Sequence, residues 1–157
     1  MNAIDSLGQL VFPMIGKNVQ KCKVWSIGLL EFYFGTHDMH KDEPYGLFQT
    51  GSCVEWRLEN ATTILVGSRD GESTLKDTNK HLSDKRILNI VLDSIALDVS
   101  IEFENNIQLK IFTAQKDRNG EDISCWTLSI FDQFRVRTTL GGQWILTDRA
   151  PRYSSSK

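Results

Sequence analysis

His37, Asp38, His40, Asp42 and Glu43 fall within seven consecutive residues, and two imidazoles among carboxylates are the raw material of a metal site. Such a site needs three or four ligands on rigid elements, and this stretch supplies no third histidine and no cysteine. It reads as a solvated loop, and no metal or cofactor is expected. Nucleophilic catalysis asks for a Ser or Cys within reach of a His that a third group orients. Cys22, Cys53 and Cys125 sit in or beside strand-like stretches, His81 lies near the end of a polar helical one, and no G-x-S-x-G elbow occurs. Gly67-Ser68-Arg69-Asp70-Gly71 lacks the P-loop Lys and the dinucleotide spacing, so it reads as a turn. Glu102 and Glu104 would share one side of a strand about 7 Å apart, within reach of glycosidase chemistry. Acids on an exposed strand face are ordinarily solvated charge. No catalytic residue is assigned, and the chain is not expected to be an enzyme.

The same acids say more as a patch. Between Arg86 and Lys110 stand Asp93, Asp98, Glu102 and Glu104, with no Lys or Arg between them. Alternation places the last three on one face of one strand. The result is a local negative strip suited to steering a basic partner, and these four residues are the candidate partner-binding set. The whole chain has a net charge of -2 and a pI near 5.9, so it lacks the basic field that holds nucleic acid. Three widely spaced cysteines suit buried thiols in a reducing compartment better than a disulfide framework. The opening residues, Met1 to Gly16, carry Asp5 and no Lys or Arg, unlike a signal peptide. No stretch approaches the roughly 20 apolar residues that span a bilayer. A cytoplasmic protein with no membrane partner is expected.

These side chains need elements to hold them. A chain of 157 residues is the size of one domain, taken as residues 1–153 with 154–157 as a tail. Ile4, Leu7, Leu10 and Val11 give a short helix over Ala3 to Val11, stopped by Pro13 and Gly16. Cys22 and Val24, then Leu30, Phe32 and Phe34, alternate with polar residues about a bend at Ser26 to Gly28, which predicts a hairpin. Leu47 to Thr50, Val54 to Leu58 and Thr63 to Val66 are three short strands. Ser73 is the expected cap of a surface helix from Thr74 to Leu82, with Leu75 and Leu82 inward.

The strongest pattern is Ile95, Leu97, Val99, Ile101 and Phe103 alternating with polar residues, the signature of a half-buried strand. Leu88 to Leu92 precedes it across a turn at Asp93-Ser94, and Asn105-Asn106 turns the chain into Ile107 to Ile111. Alternation resumes at Trp126 to Ile130, Phe134 to Val136 and Trp144 to Leu146. Short connections favour antiparallel neighbours. The expected fold class is mainly β (α+β): an antiparallel meander, curled into a half-barrel or packed as a sandwich, with one or two short helices. Trp25, Trp56, Trp126 and Trp144 all fall in strand candidates, where core packing accounts for most; one could anchor an interface.

Several landmarks occur in order: Ile15-Gly16-Lys17, Leu30 to Gly35, Ser52 to Leu58 with Cys53 and Trp56, Gly67-Ser68-Arg69-Asp70, Ile95 to Phe103, Leu109 to Phe112, Cys125-Trp126 and Gly141-Gly142-Gln143-Trp144. This order, over Ile15 to Thr147, resembles a family of small bacterial proteins that look like immunity partners of polymorphic or contact-dependent growth-inhibition toxins. The resemblance implies a toxin inhibitor: an intracellular binder whose partner is a cognate toxin domain, a nuclease among the choices. It brings no catalytic residues. The alternative is a β module that binds a small ligand in an aromatic-lined cavity.

Overall fold

A computed structural model of the chain describes residues 3–35, 44–51, 54–93, 97–113, 124–139 and 143–147. Among them are eleven strands in two antiparallel sheets and two α-helices, a sandwich-like α+β architecture. The first sheet runs β1 (Asn18–Val24), β2 (Leu30–Gly35), β3 (Gly46–Thr50), β9 (Ser124–Ile130), β10 (Phe134–Thr139) and β11 (Gln143–Thr147). The second runs β5 (Ile64–Gly67), β4 (Glu55–Glu59), β8 (Ile107–Phe112), β7 (Val99–Phe103) and β6 (Ile87–Leu92).

The alternation expected from the sequence sets the two inner faces, because strand side chains point to opposite sides in turn. Leu30, Phe32, Phe34, Phe48, Trp126, Leu128 and Val136 point inward from the first sheet, and Trp56, Leu58, Ile101, Phe103, Leu109 and Ile111 from the second; all are buried. Phe32 stacks on Phe48 at 5.3 Å and meets Phe103 of the opposite sheet edge-on at 6.0 Å. Trp126 stacks on Phe48 at 5.7 Å. Phe32, Phe48, Phe103 and Trp126 are thus packed ring on ring in the core. The indole N–H groups of Trp56 and Trp126 donate to the carbonyls of Gly28 at 2.7 Å and Leu97 at 3.0 Å, so each large ring is buried with its polar atom satisfied. Trp25 departs from expectation: it lies just beyond β1 in the turn, exposed, with the Lys23 ammonium 3.5 Å from its ring centre.

The long run from Arg86 to Leu146 is not one meander. β6, β7 and β8 form a meander in the second sheet, and β9, β10 and β11 form another in the first. The chain changes sheets twice, after β3 and after β8, and the two crossings bring β3 beside β9 and β4 beside β8. Close backbone approach marks the first sheet here. A Cβ on Gly46 would lie 2.5 Å from the Phe34 ring and 2.6 Å from the Ser129 carbonyl oxygen.

The helices close the sandwich at its edges. In α1 (Ala3–Val11), Leu7 and Val11 are buried. Helix α2 spans Glu72–Leu82, begins two residues earlier than expected and is capped by Gly71, not Ser73, which lies inside the first turn. Its Leu75, Thr78 and Leu82 are buried, and the Asn79 side-chain oxygen accepts from the Cys22 amide at 3.3 Å. The outer edge of β1 is therefore partly satisfied by a side chain. Farther along, Val19 donates to Lys85 O and Asp84 to Val19 O, both at 2.9 Å, which joins β1 to the approach to β6 and stitches one corner of the two sheets together.

Candidate partner-binding surface

The four acids of the strip occupy four different settings. The strand that carries them is shorter than the alternation implied: β7 begins at Val99, because Leu97 takes a left-handed φ of 59°, a region that opposes strand geometry. Ile95 lies outside the described residues. Asp98 precedes the strand, and its Oδ1 accepts from the Thr113 amide at 2.5 Å and the Thr113 hydroxyl at 2.7 Å. Glu104 leaves the strand in a 3-10 turn and pairs with Arg86 at 3.1 Å. Asp93 is exposed at the end of β6, and its amide donates to Asp98 O at 2.8 Å. Glu102 alone lies on the outer face of β7, between Asn89 of β6 and Gln108 of β8. It has no cation within 4.0 Å among the described residues, unlike Glu55, Glu59 and Glu104.

The rest of that outer face is a ladder of paired charges. Glu59 of β4 accepts from Lys110 at 2.6 Å and Arg57 at 2.9 Å, and the Lys110 hydrogen bond, aided by the charges of Lys110 and Arg57, holds its carboxyl below the usual range against the opposing effect of burial. Arg57 also covers the Phe112 ring at 5.0 Å, and Arg69 pairs with Glu55. Asp98 is thus held by Thr113 and Glu104 is paired with Arg86 beside the bulge between Ile87 and Asn89, while the other two acids are Glu102, on the outer face of β7, and Asp93, at the end of β6.

Beside these two acids is an apolar feature that the sequence reading did not single out. An open groove of about 520 Å³ runs between α1 with its following turn and β6, lined by Gly8, Val11, Phe12 and Ile15 on one wall and by Ile90 and Leu92 on the other. Phe12 is 67% exposed and Val91 56%, and both line the groove, large values for apolar side chains gathered at one place. Strand β6, Ile-Leu-Asn-Ile-Val-Leu, is richer in apolar residues than one buried face requires. That surplus was the available signal.

β6 is also an edge. At its start Ile87 donates to Lys17 O and accepts from the Gly16 amide, both at 2.8 Å. Beyond that point the Asp93–Asp98 bond marks a hydrogen-bonded pair, and alternation along the β6–β7 register makes Val91–Ser100 and Asn89–Glu102 such pairs too. Ile90 and Leu92 therefore direct their N–H and C=O groups away from β7, toward the groove.

Cys22 and Cys125 are buried free thiols; burial, with a smaller contribution from Glu31, pushes the Cys22 thiol up to about 12, which suppresses the reactive thiolate. Among the described residues no three His, Cys, Asp or Glu side chains gather as metal ligands. The His37 to Glu43 loop and Cys53 lie outside the described residues. No described helix is long and apolar enough to cross a membrane. No family model, curated protein or solved structure matches the chain.

Proposed function

We propose that the protein is an immunity-type inhibitor, a non-enzymatic binder that neutralises a cognate toxin domain through a protein interface. The observation that carries this reading is the apolar groove along β6, with Glu102 opposite the groove-lining Asn89 and Asp93 next in sequence to the groove-lining Leu92. An apolar centre with charge at its margin is the anatomy of a specific protein interface, and acids at the rim favour a partner with a basic surface, as a nuclease domain has. The sequence resemblance to immunity proteins points the same way, and a cytoplasmic site of action follows from the proposal.

Co-expression with the toxin domain encoded immediately upstream tests it. Protected cells and a complex that co-purifies are expected; continued killing together with no complex refutes the proposal. Within the complex, Glu102→Lys should lower the association rate roughly 3–10-fold with a weaker salt dependence, since rim charge acts mainly on encounter. An unchanged rate removes Glu102 from the interface.

A further inference from the structure

We infer that the β6 edge recognises its partner by strand addition, taking up an extended segment that alternates apolar and Lys or Arg side chains. The inference rests on the binder reading above and names the element of the partner that is bound. Its first support is the backbone. Past Ile87, the edge of β6 presents the amide and carbonyl groups of Ile90 and Leu92 on its open side, and β6 contains no charged residue and no proline to repel a pairing strand.

The second support is the wall facing that edge. Gly8 lines the groove from α1, and a Cβ built there meets nothing within 4 Å. A helix interior disfavours glycine by about 1 kcal/mol relative to alanine, so its presence opposite the free edge widens the channel at a cost to the helix. Every second side chain of an added strand would then point into the space lined by Val11, Phe12 and Ile15.

The third support is charge. The remaining side chains of an added strand would stand on the outer face, in line with Asn89 and then Glu102, or with Val91 and then Ser100. Neighbouring strands are about 4.8 Å apart, so the second strand over is within the reach of an extended Lys or Arg but not of a short side chain. Glu102 has no cation within 4.0 Å among the described residues, and Asp93 stands at the end of the strand. The edge of β11 is also open to pairing by order, but among the described residues no helix lines it as α1 lines β6, and no acid stands on its neighbour β10; β6 is the better fit for a basic segment.

The probe is a capped nonapeptide alternating Leu and Arg, titrated against the full chain by fluorescence anisotropy. Its counterparts are a Leu/Glu peptide and a Leu/Arg peptide N-methylated at the amides that would face β6. Micromolar binding of the first is expected, weakened at least tenfold for both counterparts and for Gly8→Trp, with slowed hydrogen exchange at Ile90 and Leu92. Lys21→Glu, on the far sheet, should bind as wild type. No binding of the Leu/Arg peptide, or equal binding of the N-methylated one, overturns strand addition without reliance on any variant. If wild type and Gly8→Trp capture the upstream toxin domain equally well, the binder reading stands and strand addition fails. If neither captures it while the peptide behaves as expected, the edge stands and the toxin reading fails.

Discussion

Replacing Asp98 by alanine should destabilise the protein while leaving its surface charge pattern almost intact. The carboxylate accepts two hydrogen bonds from Thr113, at 2.5 Å from the amide and 2.7 Å from the hydroxyl, and Thr113 is 3% exposed. A hydrogen bond to a charged group contributes about 1.5–3 kcal/mol, and a buried donor left alone costs a similar amount. The two bonds share one oxygen and are not additive, and Asp98 itself is only half-buried, so water recovers part of the loss. The expected cost of Asp98→Ala is about 2–4 kcal/mol, and of Asp98→Asn, which keeps a neutral acceptor, about half of that. With a urea slope of about 2 kcal/mol per molar, the alanine midpoint falls by roughly 1–2 M. Trp126 is a built-in reporter, because its indole bonds to Leu97 O at 3.0 Å, adjacent in sequence to Asp98. Glu102→Ala, measured alongside, should shift by less than about 0.5 kcal/mol, as a half-buried surface charge with no cation within 4.0 Å among the described residues does. If Asp98→Ala unfolds within 0.5 kcal/mol of wild type, the anchoring role is wrong and Asp98 returns to the set available for binding. The consequence for interface work is direct: reversing Asp98, Glu102 and Glu104 together would confound lost folding with lost binding, whereas Glu102 alone separates them.

Two further outcomes follow from the core. Gly46→Ala should lower stability by about 2–3 kcal/mol and the melting temperature by roughly 5–10 °C, because the new Cβ meets the Phe34 ring at 2.5 Å and the Ser129 carbonyl at 2.6 Å; calorimetry showing no change would mean that β2 and β9 can shift apart freely. Cys22 should make the protein sensitive to alkali: its folded thiol titrates near 12 against an ordinary 9.0. The unfolded chain therefore releases this proton first, and stability is full below pH 9 and declines by about 1.4 kcal/mol per pH unit toward 12. Denaturation at pH 8 and pH 10 should show this decline reduced by about 1 kcal/mol in Cys22→Ala, and equal slopes in both proteins would disprove the burial effect.

Strand positions were legible wherever alternation ran unbroken between turn residues. β8 and β10 follow the apolar period, and the left-handed pair Asn105 and Asn106, at φ 64° and 59°, turns β7 into β8 as two residues tolerant of that region should. Sheet membership was not legible, because a period of two records only that one face is buried. β8 and β9 each present such a face, and nothing in Ile107 to Ile130 says that the faces belong to opposite sheets. The same limit governs the acids. Asp98, Glu102 and Glu104 share a parity in sequence, but Leu97 turns left-handed before the strand, and the bulge after Ile87 carries Arg86 to Glu104. Register irregularities of this kind leave no period to read. The groove was hidden for a different reason: its walls, at Gly8 to Ile15 and at Asn89 to Leu92, are remote in sequence, so neither wall alone shows a concavity.

The sheet edges explain why the functional argument converges on β6. An unpaired strand edge invites association, and natural proteins blunt such edges with short strands, charges, proline or a covering element. β5 is four residues long. β1 is met by Asn79 of α2 at Cys22 and by the Asp84–Lys85 segment at Val19, and the first residue of β6 is closed by Gly16 and Lys17. The protection then stops in the middle of a strand: from Leu88 to Leu92 the edge has neither charge nor proline, and α1 stands back from it across a groove when a larger residue than Gly8 would have filled the space. Among the described residues, protection covers the beginning of the strand and omits its remainder, which is the stretch that the strand-addition proposal assigns to a partner, and Glu102 beside it is the reason that proposal gives the partner segment a positive charge.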